Sequence, residues 1–193
     1  MKKISCNLLK KKNIFLFFFF IFFIHSHSQT YIKVNPVTTL LTIPNVGVEM
    51  SIGKKATFQF DVLSSFWKSM SGKPKQYYIF IPEYRYFFHE KYDGFYVGAH
   101  IGATLFNFQK WNSYNSFMYQ KGFGYVMGAT VGYEKKISEK FLVDIYLGGG
   151  NSQGFYKGYF IGTDTRYESA KDYNKSGEWF PYRGGVMVSY KLN

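Results

Sequence analysis

The sequence predicts an all-β protein: an eight-stranded antiparallel up-and-down transmembrane β-barrel preceded by a signal peptide. Three observations lead to this fold class. Residues 95–108 alternate between apolar side chains and side chains that are mostly small or polar, so a strand there has two unlike faces. Phe, Trp and Tyr make up 22% of the chain, as expected where many side chains face lipid. Short and long connections also alternate between the predicted strands.

The first 28 residues are predicted to be a signal peptide. Five lysines precede an apolar run at residues 14–24, and Ser26 and Ser28 provide the small residues that come before a cleavage site. We expect cleavage after Ser28, which leaves one domain, residues 29–193. The rival interpretation is a membrane anchor, but a spanning helix needs about 20 apolar residues and the run is about half as long.

The composition of the predicted mature chain excludes several kinds of site and partner. Cys6, the only cysteine, lies in the leader, so no disulfide, thiol nucleophile or thiolate metal site is expected. The leader has five lysines and no acidic residue, so its removal lowers the net charge from +12 to +7. The lysines between strands could meet outer-membrane lipid and lipopolysaccharide, or be solvated loop charges. We expect no nucleic-acid partner, because a compact basic cluster and a stacking motif are both missing.

Eight segments have strand character, and helical periodicity is absent throughout. The first segment contains Pro36, which is tolerated near a strand start or at a bulge. A shorter piece, residues 155–161, could extend the seventh strand or form part of a loop hairpin. In chain order, the predicted strands are residues 32–41, 45–52, 56–66, 76–89, 95–108, 122–134, 140–151 and 179–192.

The lengths of the connections predict how the barrel is oriented. Three long connections (67–75, 109–121 and 152–178) alternate with three short ones, and the first connection is a short exception on the long side. Outer-membrane barrels have short periplasmic turns and long outer loops, so we expect both termini in the periplasm. Loops 109–121 and 152–178 are the candidate contact surfaces for an extracellular protein or glycan. The expected outer-rim aromatic residues are Phe106, Phe108, Trp111, Trp179 and Tyr182.

The face opposite the apolar one carries charges of both signs, with glycines between them. The interior of an eight-stranded barrel is only wide enough for side chains, and buried charges need partners. We therefore expect a structural salt-bridge network that plugs the lumen, with a proton or ion path and a small-ligand site as alternatives. The residues predicted to face inward are Glu49, Asp61, Glu83, Arg85, His100, Glu134, Asp144, Arg183 and Lys191.

Catalysis has little support in the sequence. The mature histidines are His89 and His100, and no serine is placed as an obvious nucleophile beside His100. Metal-ligand spacing, a phosphate-binding glycine loop and a nucleophile elbow are also missing. We expect no cofactor, no metal and no enzymatic activity. Two alternatives stay open: a lipid-modifying enzyme of the outer membrane, and a secreted lipocalin-like barrel that binds an apolar ligand inside.

Several short motifs follow one another along the chain: PNVGVE at 44–49, PEYRYF at 82–87, GFYVGAH at 94–100, the strand at 124–132 and the last strand through Tyr190. Their order resembles a family of small outer-membrane barrels of Bacteroidota, grouped as a domain of unknown function. The resemblance implies the barrel and its compartment, and no catalytic residues. Many such barrels end in an aromatic residue that the barrel assembly machinery recognises, whereas this chain ends with Leu192 and Asn193. We expect a structural role, or a loop-mediated role in the envelope, adhesion or assembly.

Overall fold

The computed structural model describes residues 29–68, 74–109, 116–167 and 172–192. The predicted signal peptide and the predicted rim residue Trp111 lie outside these ranges. Within them the chain forms eight strands and one short helix. In chain order the elements are β1 (Thr30–Val34), α1 (Pro36–Leu40), β2 (Asn45–Ser51), β3 (Ala56–Ser65), β4 (Lys75–Phe87), β5 (Gly94–Phe108), β6 (Met118–Lys136), β7 (Phe141–Phe160) and β8 (Asn174–Lys191).

The eight strands form one antiparallel sheet that closes in a ring. Each strand pairs with the next one along the chain, and β8 pairs with β1. The predicted all-β fold with eight antiparallel strands in chain order is therefore confirmed. No helix in the described ranges has both the length and the apolar character needed to cross a membrane.

The first connection contains a helix that the sequence pattern does not predict. Asn35 caps α1, because its side-chain oxygen accepts a hydrogen bond from the Thr38 backbone N–H at 3.2 Å. Pro36 occupies the first helical turn, where its missing N–H has no partner to lose. The predicted first strand, residues 32–41, is therefore wrong beyond Val34.

The ring is much taller on one side than on the other. β1 has 5 residues and β2 has 7, whereas β6, β7 and β8 have 19, 20 and 18. The predicted long connection at 152–178 is about half as long in the structure, because residues 152–160 belong to β7 and residues 174–178 belong to β8. The piece at 155–161 thus extends the seventh strand as far as Phe160. We call residues 118–122, 151–160 and 174–180 the extension.

The pairing of β7 with β8 shifts by one residue near the middle of β8. Gly148 pairs with Arg183 and Gly149 pairs with Pro181, so Tyr182 is the extra residue of a bulge. Strict alternation along β8 predicts an outward Tyr182. The structure instead turns its side chain inward, because the bulge shifts the alternation by one residue.

The outer face of the ring is apolar over a continuous band, which we call the apolar belt. On β6, for example, Met127 and Val131 are 52% and 58% exposed, and Phe123 and Tyr133 lie at the two ends of the same row. The belt consists of Ile32, Val34, Val46, Phe60, Tyr84, Tyr86, Phe95, Val97, Ile101, Leu105, Phe123, Tyr125, Met127, Val131, Tyr133, Phe141, Ile145, Leu147, Val188 and Tyr190.

Aromatic side chains close the interior at the end with the short connections. Tyr31 and Tyr92 have ring centroids 4.7 Å apart, and Phe87 packs against both Tyr92 and Tyr96. Tyr92 donates a hydrogen bond to the Gln29 carbonyl at 2.7 Å. Burial, with Glu49 and Glu134 nearby, raises the pKa of the Tyr92 hydroxyl well above its usual range. We call Tyr31, Phe87, Tyr92, Tyr96 and Leu142 the aromatic floor.

Candidate functional site: a buried charge network inside the ring

Lys33 is the centre of the charged layer that lies next to the aromatic floor. Its Nζ atom contacts Glu49 Oε2 at 2.6 Å, Glu134 Oε1 at 3.0 Å and Asp144 Oδ2 at 2.9 Å. All four side chains are fully buried. Lys33 faces inward because Ile32 and Val34, its neighbours on β1, face outward. The residue thus links β1 to β2, β6 and β7.

Arg85 is the second cation of the same layer and shares two of the carboxylates with Lys33. Its Nη1 contacts Asp144 Oδ2 at 2.8 Å and Glu49 Oε2 at 3.3 Å, and its Nε donates to Glu83 Oε2 at 2.9 Å. Its guanidinium carbon lies 4.5 Å from the centroid of the Tyr96 ring, on which it stacks. The Tyr96 hydroxyl donates in turn to Asp144 Oδ1 at 2.9 Å.

Arg183 continues the network towards the end with the long connections. Its Nη2 contacts Asp61 Oδ2 at 2.7 Å, and its Nη1 lies 3.2 Å from Glu83 Oε2. Glu83 therefore lies between Arg85 and Arg183. Gln59 supports Asp61 with a hydrogen bond from Nε2 to Oδ2 at 3.2 Å. The result is one connected set of ion pairs that includes residues from seven strands, all but β5.

Two glycines on the inner face make room for these long side chains. A Cβ atom added at Gly132 would lie 2.5 Å from the Tyr96 ring, and one added at Gly98 would collide with the Glu83 carboxylate. Real side chains do not approach so closely, so any larger residue would displace the network. The predicted role of glycines beside charges thus has a specific physical cause at these two positions.

His100 lies beside the network without forming an ion pair with any described residue. Its Nε2 is 2.6 Å from the Tyr182 hydroxyl, and its Nδ1 is 3.2 Å from the Thr130 hydroxyl. Both ring nitrogens thus have hydroxyl partners. The inward turn of Tyr182 at the bulge of β8 is what brings its hydroxyl to His100.

The structure brings the charged residues of the sequence-based set together inside the ring. Glu49, Asp61, Glu83, Arg85, Glu134, Asp144 and Arg183 are all buried and share contacts. Lys191 is half-buried at the end of β8 and has no ion pair in the described ranges. The missed residue is Lys33, although its position between the outward Ile32 and Val34 could have indicated it.

The expected outer-rim aromatic residues do not share one environment. Trp179 faces outward and is 78% exposed. Phe106 and Phe108 lie on the inner face of β5, with ring centroids 5.4 Å apart. Both line a cavity inside the ring, in the half nearer to the long connections. Tyr182 also lies inside. The difference at Tyr182 arises from the β8 bulge, which no alternation rule anticipates.

Each cation of the network contacts two or three carboxyl groups. Its five carboxyl groups outnumber its three cations, Lys33, Arg85 and Arg183, so its overall character is acidic. No group of three His, Cys, Asp or Glu side chains in the described ranges has an arrangement that could hold a metal ion. The ion pairs are closely packed, and the aromatic floor closes the end beside them. A side-chain plug of this kind fits the narrow interior of an eight-stranded ring.

One comparison with known proteins identifies a family. A family model described as "Protein of unknown function (DUF3575)" matches residues 13–192. No curated protein matches the chain. The family match extends over all eight strands of the ring and the whole of the charge network. The chain therefore belongs to the DUF3575 family of proteins of unknown function.

Proposed function

We propose that the protein is an integral outer-membrane β-barrel with a plugged lumen and a structural or loop-mediated role in the cell envelope. One observation carries this proposal: the outer face of the ring is apolar, whereas its interior is charged. A soluble protein rarely exposes a continuous apolar surface as large as this belt. A closed ring of strands is also one of the two backbone arrangements that can cross a bilayer with its hydrogen bonds satisfied.

The dimensions of the apolar belt support a membrane location. On β6 the outward row runs from Phe123 to Tyr133, a length close to the roughly 9–11 residues that a tilted transmembrane strand needs. Aromatic side chains occupy both ends of that row, with Met127, Ala129 and Val131 between them. Phe95 of β5 packs against Tyr133 with ring centroids 4.8 Å apart. Aromatic girdles at both interfaces are typical of outer-membrane barrels.

The ends of the ring support the proposed orientation. The described chain begins at Gln29 and ends at Leu192, and both residues lie at the end with the short connections. Outer-membrane barrels keep short turns on the periplasmic side, so both ends of the barrel domain would lie in the periplasm. The extension would then project from the cell surface and carry the candidate contact loops.

A matched pair of arginine substitutions tests the membrane location. Met127 and Ile137 have similar exposures of 52% and 64%, but Met127 lies near the middle of the belt, whereas Ile137 lies in a short connection. In a bilayer, Met127→Arg should lower the free energy of unfolding by about 2–4 kcal/mol and Ile137→Arg by about 0–1 kcal/mol. Equilibrium urea unfolding in lipid vesicles measures both values. Equal effects of the two substitutions would contradict the proposal.

Fractionation separates the proposal from the lipocalin-like alternative. The membrane barrel should sediment with the outer membrane and change its gel mobility on boiling, whereas a secreted soluble barrel should do neither. For the enzymatic alternative, His100→Ala is the informative variant. We expect unchanged membrane lipid profiles, because His100 contacts the hydroxyls of Thr130 and Tyr182 but has no ion pair in the described ranges with a carboxylate that would orient it as a general base. An altered lipid profile would favour the enzyme.

A further inference from the structure

A cavity of about 710 Å³ lies inside the ring, between the charge network and the end with the long connections. Its volume falls within the roughly 300–1,000 Å³ of small-molecule sites. Residues from β3 to β8 line it, and most of the lining is apolar, including Leu63, Ile79, Phe106, Val126 and Phe180. The charge network thus fills only part of the interior. The part nearer to the long connections is an open, apolar cavity to which the proposed structural role assigns no function.

The wall of this cavity is incomplete beside β8. Because β1 ends at Val34, its pairing with β8 covers only Val188 to Lys191. In the described part of the chain, residues 179–181 and 183–187 of β8 pair with β7 alone. The short helix α1 occupies the gap, and the Asn35 side chain at its start lies against Gly185. Beside residues 179–187 of β8, the helix α1 therefore takes the place of a paired strand in the wall of the ring.

The cavity continues around the free edge of β8 to the outer surface of the ring. Leu147 and Gly184 face outward, yet both line the cavity. A second cavity of about 180 Å³ lies between α1 and β8 and shares Arg183 and Gly184 with the first. Val37 and Leu40 of α1 are 50% and 84% exposed. Apolar side chains thus surround the gap on its outer side.

Arg183 gives the cavity a hydrogen-bond donor without an acceptor. Its side chain is 4% exposed and lines the cavity. Its buried Nε atom has no hydrogen-bond acceptor in the described ranges, and such a group costs free energy as long as it stays unpaired. Because almost none of its surface is accessible, a ligand can accept this hydrogen bond only when the guanidinium turns towards the cavity. An ammonium or guanidinium head group has no acceptor for this hydrogen bond. The acidic excess of the network disfavours an anion next to it, so an uncharged acceptor fits best.

We propose that this cavity binds one acyl-chain lipid with an uncharged head group that contains a carbonyl or hydroxyl, taken from the surrounding bilayer through the gap between α1 and β8. The acyl chain lies against the apolar lining, and the head group accepts a hydrogen bond from Arg183, whose guanidinium turns towards the cavity when the lipid binds. The source of the lipid rests on the proposed membrane location, because the gap opens at the level of the apolar belt. Binding involves no covalent step.

Two pairs of substitutions on neighbouring residues test this site. Ser176 lines the cavity, whereas the adjacent Lys175 lies on the outer face, so Ser176→Trp fills the cavity and Lys175→Trp is its control. Gly154→Leu is a second filling variant: its Cβ would lie 3.2 Å from Ser176 Oγ, a tight contact that rotation of the serine hydroxyl relieves. Phe155→Leu on the outer face is its control.

Full-length protein in detergent is titrated with monoolein, and native mass spectrometry counts the lipid retained by each folded variant. We expect one monoolein per wild-type chain, unchanged retention in the two controls and at least a ten-fold loss in the two filling variants. Oleate should be retained at least ten-fold less well than monoolein. Binding that occurs only at high monoolein concentration and does not saturate would overturn the proposal. Equal retention in filling and control variants, or a preference for oleate over monoolein, would also overturn it.

Two further measurements on the same samples distinguish a failure of the lipid site from a failure of the proposed membrane location. Fractionation and the gel shift on boiling report whether the protein is a membrane barrel, and they are independent of monoolein. A protein that fails those two measurements contradicts the membrane location. A heat-shifting membrane barrel that retains no monoolein contradicts the lipid site alone.

Discussion

Lys33 shows how one side chain can hold much of the ring together. Its ammonium group contacts carboxylates from β2, β6 and β7, and all of them are fully buried. A buried ion pair adds little stability compared with an apolar replacement of both partners, but removing one partner leaves uncompensated charge. Removal of the Lys33 ammonium leaves Glu134 without a cationic partner in the described ranges, whereas Glu49 and Asp144 keep their contacts with Arg85.

We therefore predict that Lys33→Met destabilises the protein strongly, by about 3–5 kcal/mol, the range for breaking a buried ion pair. The control is Lys135→Met, because Lys135 contacts Asp93 at 3.2 Å with side chains that are 54% and 32% exposed. An exposed ion pair is worth about 0–1 kcal/mol. Equilibrium urea unfolding in lipid vesicles, followed by tryptophan fluorescence, gives both values. Similar losses in the two variants would show that Lys33 has only a surface-like role.

The inward charges could largely be predicted from the sequence, because alternation fixes the face of each residue once the apolar face is known. Glu83 and Arg85 follow from their outward neighbours Tyr84 and Tyr86. Partners could not be predicted, since they depend on the register between strands that are distant in the chain. Tyr182 could not be predicted either, because one extra residue in β8 reverses the alternation on one side of it.

At the scale of elements, the predicted bounds of a strand agree with the structure where that strand lies within the apolar belt. The predicted bounds of β2, β3, β4 and β5 are within two residues of those in the structure. Most of the extension was not predicted as strand, although residues 155–161 were considered as a continuation of the seventh strand, because small and polar residues interrupt the apolar alternation there. α1 was missed because a five-residue helix is too short for helical periodicity, although Asn35 followed by Pro36 is a helix-start signal.

Part of β8 lacks a strand partner on one of its two edges. Backbone N–H groups that point away from β7 at residues 179–187 have no strand partner in the described part of the chain. We predict that these amides exchange with solvent deuterium faster than those at 188–191, which pair with β1, and those of β6, which pair on both sides. Residue-resolved hydrogen exchange in detergent measures this. Uniform protection along β8 would mean that α1 or another segment seals the gap completely.

At the scale of the whole molecule, the interior consists of three successive layers. The aromatic floor closes the end with the short connections, the charge network lies above it, and the cavity opens towards the extension. The first two layers are each packed across the interior: the floor by contacts among Tyr31, Phe87 and Tyr92, and the network by ion pairs from Lys33 and Arg85. Each layer alone should block the passage of hydrated ions.

This layering predicts that the protein does not conduct ions, even after one layer is opened. In planar bilayers the wild-type protein should show no stepwise currents, and the variant Phe87→Ala/Tyr92→Ala should also be silent, because the charge network remains in place. A 16-stranded porin, whose wider ring leaves an aqueous channel, is the positive control for the membrane and the recording. Incorporation of each variant is verified by its gel shift on boiling. Stepwise currents from the wild-type protein would show that the network is a path for ions and not a plug, and currents from the double variant alone would assign the block to the aromatic floor.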